Sequence, residues 1–160
     1  MRDGFFRVAA ATPAVRAAQV AGNLRSIKEL IFQAAEEGCG LVCFPELAVT
    51  AYTCGDLFRD AALLAAAEQG LAQLLEDTKE LDILCAVGVP VPWEGALYNC
   101  AAVFHRGRLL GLPAKEHIPN YGEFYEARLF TPAPDPVTVA YCGQKVPLGK
   151  IGRAHVRTPV

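Results

Sequence analysis

The order of patterned segments predicts an α/β domain with a mostly parallel central sheet. The continuous apolar run Leu41-Val42-Cys43-Phe44 has the texture of a strand buried on both faces by flanking helices, and residues 83–90 read as a further apolar strand. Each follows a longer stretch with helical periodicity, 19–37 and 60–81. Downstream, 96–104 and 108–112 flank His105-Arg106-Gly107 as the two arms of a β-hairpin. A βαβαββ order of this kind sets parallel strands beside some antiparallel pairing.

The first strand is read over 5–11, where aromatic and β-branched side chains cluster before Thr12-Pro13 stops the run. In the first helix Val20, Leu24, Ile27, Leu30, Ile31 and Ala34 fall on one face, and Gly38 and Gly40 supply the stop. Positions 48–58 are rich in turn formers and read as a loop. Leu63, Leu64, Leu71, Leu74 and Leu75 make the apolar stripe of the second helix. Gly107 in the hairpin turn is placed to take a positive φ. After Pro132 the texture changes: 131–136 is a proline-rich loop, 137–141 a short strand and 143–149 a turn.

A chain of 160 residues with 52% apolar and 20% charged side chains can bury the core of one ordinary globular domain. Its net charge of −2 and lack of a basic run argue against nucleic acid or an anionic membrane as partner. Residues 1–6 do not resemble a signal peptide, and no apolar run reaches spanning length, so the expected address is cytoplasmic. The six cysteines, at 39, 43, 54, 85, 100 and 142, form no Cys-x-x-Cys pair, and the three histidines are scattered. They read as free thiols, with neither a disulfide framework nor a metal site expected.

The residues with chemical promise stand at strand ends, where α/β sheets present side chains into a crevice. Glu46, in Phe44-Pro45-Glu46-Leu47, follows an apolar strand by two positions. Lys115 follows the second arm of the hairpin, and a dense Tyr121-Gly122-Glu123-Phe124-Tyr125-Glu126 cluster comes soon after. Alone, Glu46 is an ordinary loop carboxylate and Lys115 a solvated lysine. Glu116, Glu123 and Glu126 could form an acidic face, and Tyr121, Phe124 and Tyr125 an aromatic cluster. Together, a carboxylate base and a cation at two strand ends make two thirds of a thiol amidase site.

These segments resemble the nitrilase, or carbon–nitrogen hydrolase, superfamily. Within it, 47–58 and His117-Ile118-Pro119-Asn120-Tyr121-Gly122-Glu123-Phe124-Tyr125-Glu126 are similar to one branch, the glutaminase domains of glutamine-dependent NAD synthetases. The likeness runs from 5 to 149. It implies an incomplete, N-terminal part of an α-β-β-α sandwich and a Glu-Lys-Cys catalytic set. Glu46 matches the general base and Lys115 the cation that stabilises the oxyanion. Glu123 matches a further glutamate beside the lysine, Tyr121 the position that contacts glutamine, and Tyr52 and Phe124 the pocket lining. The family's nucleophile opens a Cys-Glu dipeptide at the end of a later strand. No cysteine here precedes a Glu, so the nucleophile is expected beyond Gly149; Cys142, alone in following Lys115, has the wrong context.

The resemblance therefore implies a glutamine amidohydrolase that supplies ammonia to a C-terminal synthetase domain, where ATP and magnesium convert deamido-NAD to NAD. Glutamine, that second domain and further copies of the chain are the expected partners, with no cofactor in this part. The fragment itself is expected to be inactive. A stand-alone amidase or carbamoylase, and a non-catalytic scaffold module, are the other readings. Residues 150–160 continue no structural pattern and resemble a translated sequencing adapter, so they are read as a non-native tail behind a partial domain over 1–149.

Overall fold

The computed structural model describes residues 4–150. They form seven strands, β1 (Val8–Ala10), β2 (Leu41–Cys43), β3 (Leu84–Trp93), β4 (Ala96–His105), β5 (Arg108–Pro113), β6 (Val137–Tyr141) and β7 (Gln144–Gly149). Two helices, α1 (Val20–Glu36) and α2 (Ala61–Asp77), connect the first three strands. The strands lie in one mixed sheet of order β1-β2-β3-β4-β5-β7-β6. Its first three strands are parallel, β3-β4-β5 and β6-β7 antiparallel, and β5-β7 parallel.

Two right-handed crossovers stepping in one direction across neighbouring parallel strands put α1 and α2 on the same face of the sheet. They pack on each other through Gly70, whose missing side chain leaves room for Leu24 and Val20 of α1. Paired residues across the ladder share a face. Val42, Cys85, Phe104 and Leu109 therefore point to one side, and all four are buried there with Val87, Val89, Ala102 and Leu112. The opposite face carries Val8, Leu41, Leu84, Ala86, Ala101 and Val103, apolar and only partly covered. This arrangement keeps the α/β class read from the sequence but corrects two parts of that reading. Three of the six strand pairings are antiparallel, so the sheet is mixed rather than mostly parallel, and helices cover one face of the sheet rather than both faces of the apolar run 41–44.

Four local readings need correction. The first strand is three residues rather than 5–11, because it pairs only along the short β2. Residues 52–59 form a kinked 3-10 segment inside the stretch read as loop. Residues 144–149 are a strand: Val146 and Leu148 are buried in alternation with exposed Lys145 and Pro147, and only Cys142-Gly143 makes the turn. Finally, β3 runs past Pro90 and Pro92. Leu84 N–H, Ala86 C=O and Gly88 C=O all bond on the β2 side, so both prolines direct their missing N–H beyond the end of β2, where no strand needs it. That extension makes β3 and β4 a ten-residue hairpin closed by Glu94-Gly95, both at positive φ.

Lys150, read as the start of a foreign tail, donates its N–H to Pro134 O at 3.1 Å and pairs with Asp135 at 3.3 Å. Residues 151–160 lie outside the described region. Elsewhere in the core, the Tyr141 hydroxyl is buried with no hydrogen-bond partner among the described residues. An unmade bond of this kind penalises folding, so Tyr141→Phe is expected to raise stability by about 1 kcal/mol, read as a higher urea midpoint at constant m value.

Candidate active site

Glu46 is held by an elbow that folds over β3. Beyond β2 the chain turns at Pro45-Glu46-Leu47, and Leu47 takes a left-handed φ of 52° while its side chain is fully buried. Such a conformation in a non-glycine residue is strained and persists because the surroundings enforce it. Gly88 is part of that enforcement: a Cβ there would lie 2.3 Å from both Pro45 O and Leu47 N. Val49 N–H donates to Gly88 O at 3.1 Å, and the buried Asn23 of α1 donates to Val49 O at 3.1 Å and Arg16 O at 2.9 Å.

Lys115 comes two residues after β5. Its N–H donates to Asn99 O at 2.8 Å, and its carbonyl accepts from Ala133 N–H at 3.0 Å, so its backbone is fixed on both sides. Its ammonium reaches Glu46 Oε2 at 2.9 Å and both oxygens of Glu126, at 3.1 and 3.2 Å. Asn99 Nδ2 also donates to Glu46 Oε2, at 2.9 Å. The Tyr52 hydroxyl donates to Glu126 Oε1 at 2.5 Å.

The five side chains differ sharply in exposure. Glu126 is 6% exposed and Asn99 4%, whereas the Glu46 side chain is 52% exposed and that of Lys115 23%. Burial works against the ammonium of Lys115, yet bonding to Glu46 and Glu126 outweighs it and raises the lysine above its ordinary value. Tyr52 is raised by burial, by its bond to Glu126 and by the two carboxylate charges, so it stays a neutral donor. The result is a fixed ammonium between a buried carboxylate and an accessible one, suited to holding negative charge and taking a proton at one place.

Of the residues singled out from sequence, Glu46, Lys115 and Tyr52 meet here. Glu123 does not: it is exposed and bonds no described residue, and the glutamate beside the lysine is Glu126. The two are three positions apart in an irregular segment, where only packing tells them apart. Phe130 anchors the segment by edge-to-face contact with Phe58 at 5.1 Å, and Leu129 and Phe130 N–H groups cap Glu126 O. Tyr121 is 72% exposed and stacks edge-on against Phe124, 5.8 Å away, with neither hydrogen-bonded into the cluster. Asn99 was missed altogether; a polar residue interrupting the apolar run of β4 was the available signal.

No thiol hydrogen-bonds to Glu46, Lys115 or Glu126 among the described residues. Cys142 contacts the Glu68 carbonyl of α2, and burial together with the Glu68 charge pushes it up to about 12, the reverse of activation. A cavity of about 1350 Å³ lies by Phe6, Phe32, Leu84 and His105 and includes none of the cluster.

The sequence profile of the carbon-nitrogen hydrolases matches residues 7–157. The chain belongs to that family. Among curated relatives, the glutamine-dependent NAD(+) synthetase of Mycobacterium tuberculosis is 36% identical over 131 residues, covering 82% of this chain and 19% of the relative. That of Aquifex aeolicus is 35% identical over 127 residues, 79% of this chain and 22% of the relative. The crystal structure of a glutamine-dependent NAD(+) synthetase from Cytophaga hutchinsonii superimposes with a TM-score of 0.85 at 28% identity, over 91% of this chain and 25% of that one. An amidase from Nesterenkonia sp. shares the hydrolase fold, with a TM-score of 0.70 at 22% identity over 92% of this chain and 56% of that one. The chain thus spans about a fifth of the length of the curated relatives it matches. No described helix is long and apolar enough to cross a membrane.

Proposed function

We propose that this chain is part of a glutamine amidohydrolase unit that supplies ammonia within a glutamine-dependent NAD synthetase. The observation that carries the reading is Lys115 Nζ bonded at 2.9 Å to an accessible Glu46, at the strand ends of a chain similar to such synthetases. In this reading a cysteine from outside the described residues attacks the glutamine amide carbonyl. Glu46 takes the thiol proton and returns it to the departing ammonia, and water then hydrolyses the glutamyl thioester to release glutamate and the free thiol. Lys115 compensates the oxyanion, and Glu126 rather than Glu123 holds the lysine in place, with Tyr52 bonded to Glu126. Tyr121 and Phe124 belong to the glutamine side of the site. Among the described residues no group of three or more His, Cys, Asp or Glu is gathered to hold a metal. In this reading ATP and magnesium belong to the synthetase part, a partner domain outside these residues, in a cytoplasmic enzyme that assembles from several copies.

Ammonia release from glutamine tests the reading on the 160-residue chain and on the gene product extended through its next strands. The extended protein is expected to turn over and the shorter one not. In the extended form Glu46→Gln should lower kcat by roughly 10²–10⁴-fold. Equal turnover in both forms, abolished by Cys142→Ser, would assign the nucleophile to Cys142 and overturn the scheme.

A further inference from the structure

We infer that Asn99 is a positioning residue that selects which oxygen of Glu46 acts as the base, a conclusion that rests on the amidohydrolase reading. Asn99 lies on β4, opposite Pro90 of β3 and on the face of the sheet away from the helices. Its backbone carbonyl receives the Lys115 N–H at 2.8 Å, and its side-chain amide donates to Glu46 Oε2 at 2.9 Å. One residue therefore ties the backbone of the cation and the carboxylate of the base to the same strand. These contacts join segments 53 and 16 positions away.

The two oxygens of Glu46 are made unequal by this arrangement. Oε2 takes both donors, Asn99 Nδ2 and Lys115 Nζ, each at 2.9 Å. Oε1 has no hydrogen-bond partner among the described residues, and the side chain is half-exposed. The lone pairs of Oε1 are thus the ones open to a thiol proton, while Oε2 is engaged. The ammonium of Lys115 alone would not fix this, because a point charge with three equivalent donors can donate to either oxygen of a rotating carboxylate. The amide of a 4% exposed Asn in the middle of a ladder cannot follow. The residue type fits the task. A carboxylate in its place would repel Glu46, and an apolar side chain would leave the half of Oε2 facing β4 without a donor.

Asn99→Asp keeps the size of the side chain but removes the donor until its carboxyl is protonated, whereas Asn99→Leu removes it at every pH, so the pH dependence of the pair separates a lost hydrogen bond from lost packing. In the extended gene product, Asn99→Asp is expected to lower kcat for glutamine about 10²-fold at neutral pH, with KM changed by less than about threefold. The ratio of variant to parent activity should rise as pH falls, because the introduced carboxyl donates a hydrogen bond once protonated. Asn99→Leu should show the loss without that recovery. A defect confined to KM, or a ratio independent of pH, overturns the proposal.

The contact itself is read without activity. In the ¹⁵N–¹H spectrum of the 160-residue chain, the Asn99 side-chain amide should shift in Glu46→Ala and stay in place in Glu29→Ala, a change on the exposed side of α1. An amide indifferent to Glu46→Ala overturns the proposal on its own. A parent protein that releases no ammonia would instead sink the amidohydrolase reading, leaving this spectrum to decide whether Asn99 holds Glu46.

Discussion

Gly88→Ala is expected to destabilise the protein by about 3 kcal/mol, although it adds one methyl group to a strand. The reason is what the methyl meets. Its carbon would stand 2.3 Å from Pro45 O and Leu47 N and 2.7 Å from Glu46 C, all backbone atoms that cannot rotate away. Relief requires lifting the elbow off β3, which breaks the Val49 N–H bond to Gly88 O and releases the strained φ of Leu47. Urea unfolding should show a lower midpoint with unchanged m. The companion variant Gly22→Ala, on exposed α1 where a Cβ meets only a side-chain atom at 4.0 Å, should be neutral or stabilising. A Gly88→Ala protein as stable as the parent would show that the elbow is free to move.

Lys115→Met is the second large effect. Removing the ammonium leaves Glu126, 6% exposed, with the Tyr52 hydroxyl but no cation, and breaking a buried pair in this way costs about 3 kcal/mol or more. Adding Glu126→Gln to the same protein should recover much of that loss, because no unpaired charge then remains inside. The pH dependence follows from the raised values of Lys115 and Tyr52. Both groups hold their protons more tightly when folded than when unfolded. Their contribution is complete below the ordinary lysine and tyrosine values of about 10 and is lost as pH rises through the raised ones. The parent should therefore weaken in alkali, and Lys115→Met should flatten that decline. An unchanged alkaline slope would mean the lysine is not coupled to folding.

Much of this architecture was legible in the sequence because it rests on regular periodicity. The stripe from Val20 to Ala34 and the runs 41–44 and 83–90 each gave an element of the right kind in the right order. Glu46 and Lys115 were legible from their places after strands. What was hidden depends on a neighbour distant in the chain. Pro90 and Pro92 look like strand breakers unless one knows that β2 is already over. Gly143 and Pro147 make a short strand look like a turn, although Lys145-Val146-Pro147-Leu148 alternates correctly. The choice between Glu123 and Glu126 has no periodic signal, since it is made by Phe130 docking on Phe58. Gly88 and Asn99 interrupt strands, and each interruption marks where the elbow or its carboxylate arrives.

The length of the β3–β4 hairpin bears on when the site comes into being. Its ten pairs close around a two-residue turn, so forming it costs little loop entropy. The contacts of Glu46 with Asn99 and Lys115 close loops of 53 and 69 residues. A chain emerging from synthesis meets these in a fixed order: the elbow is made first but has nothing to rest on until Gly88 and its hairpin follow. The same ordering runs in reverse at equilibrium. Openings that detach β1, β2 and the elbow from a persisting hairpin dismantle the ion pairs while the backbone amides of β3 and β4 remain slow to exchange.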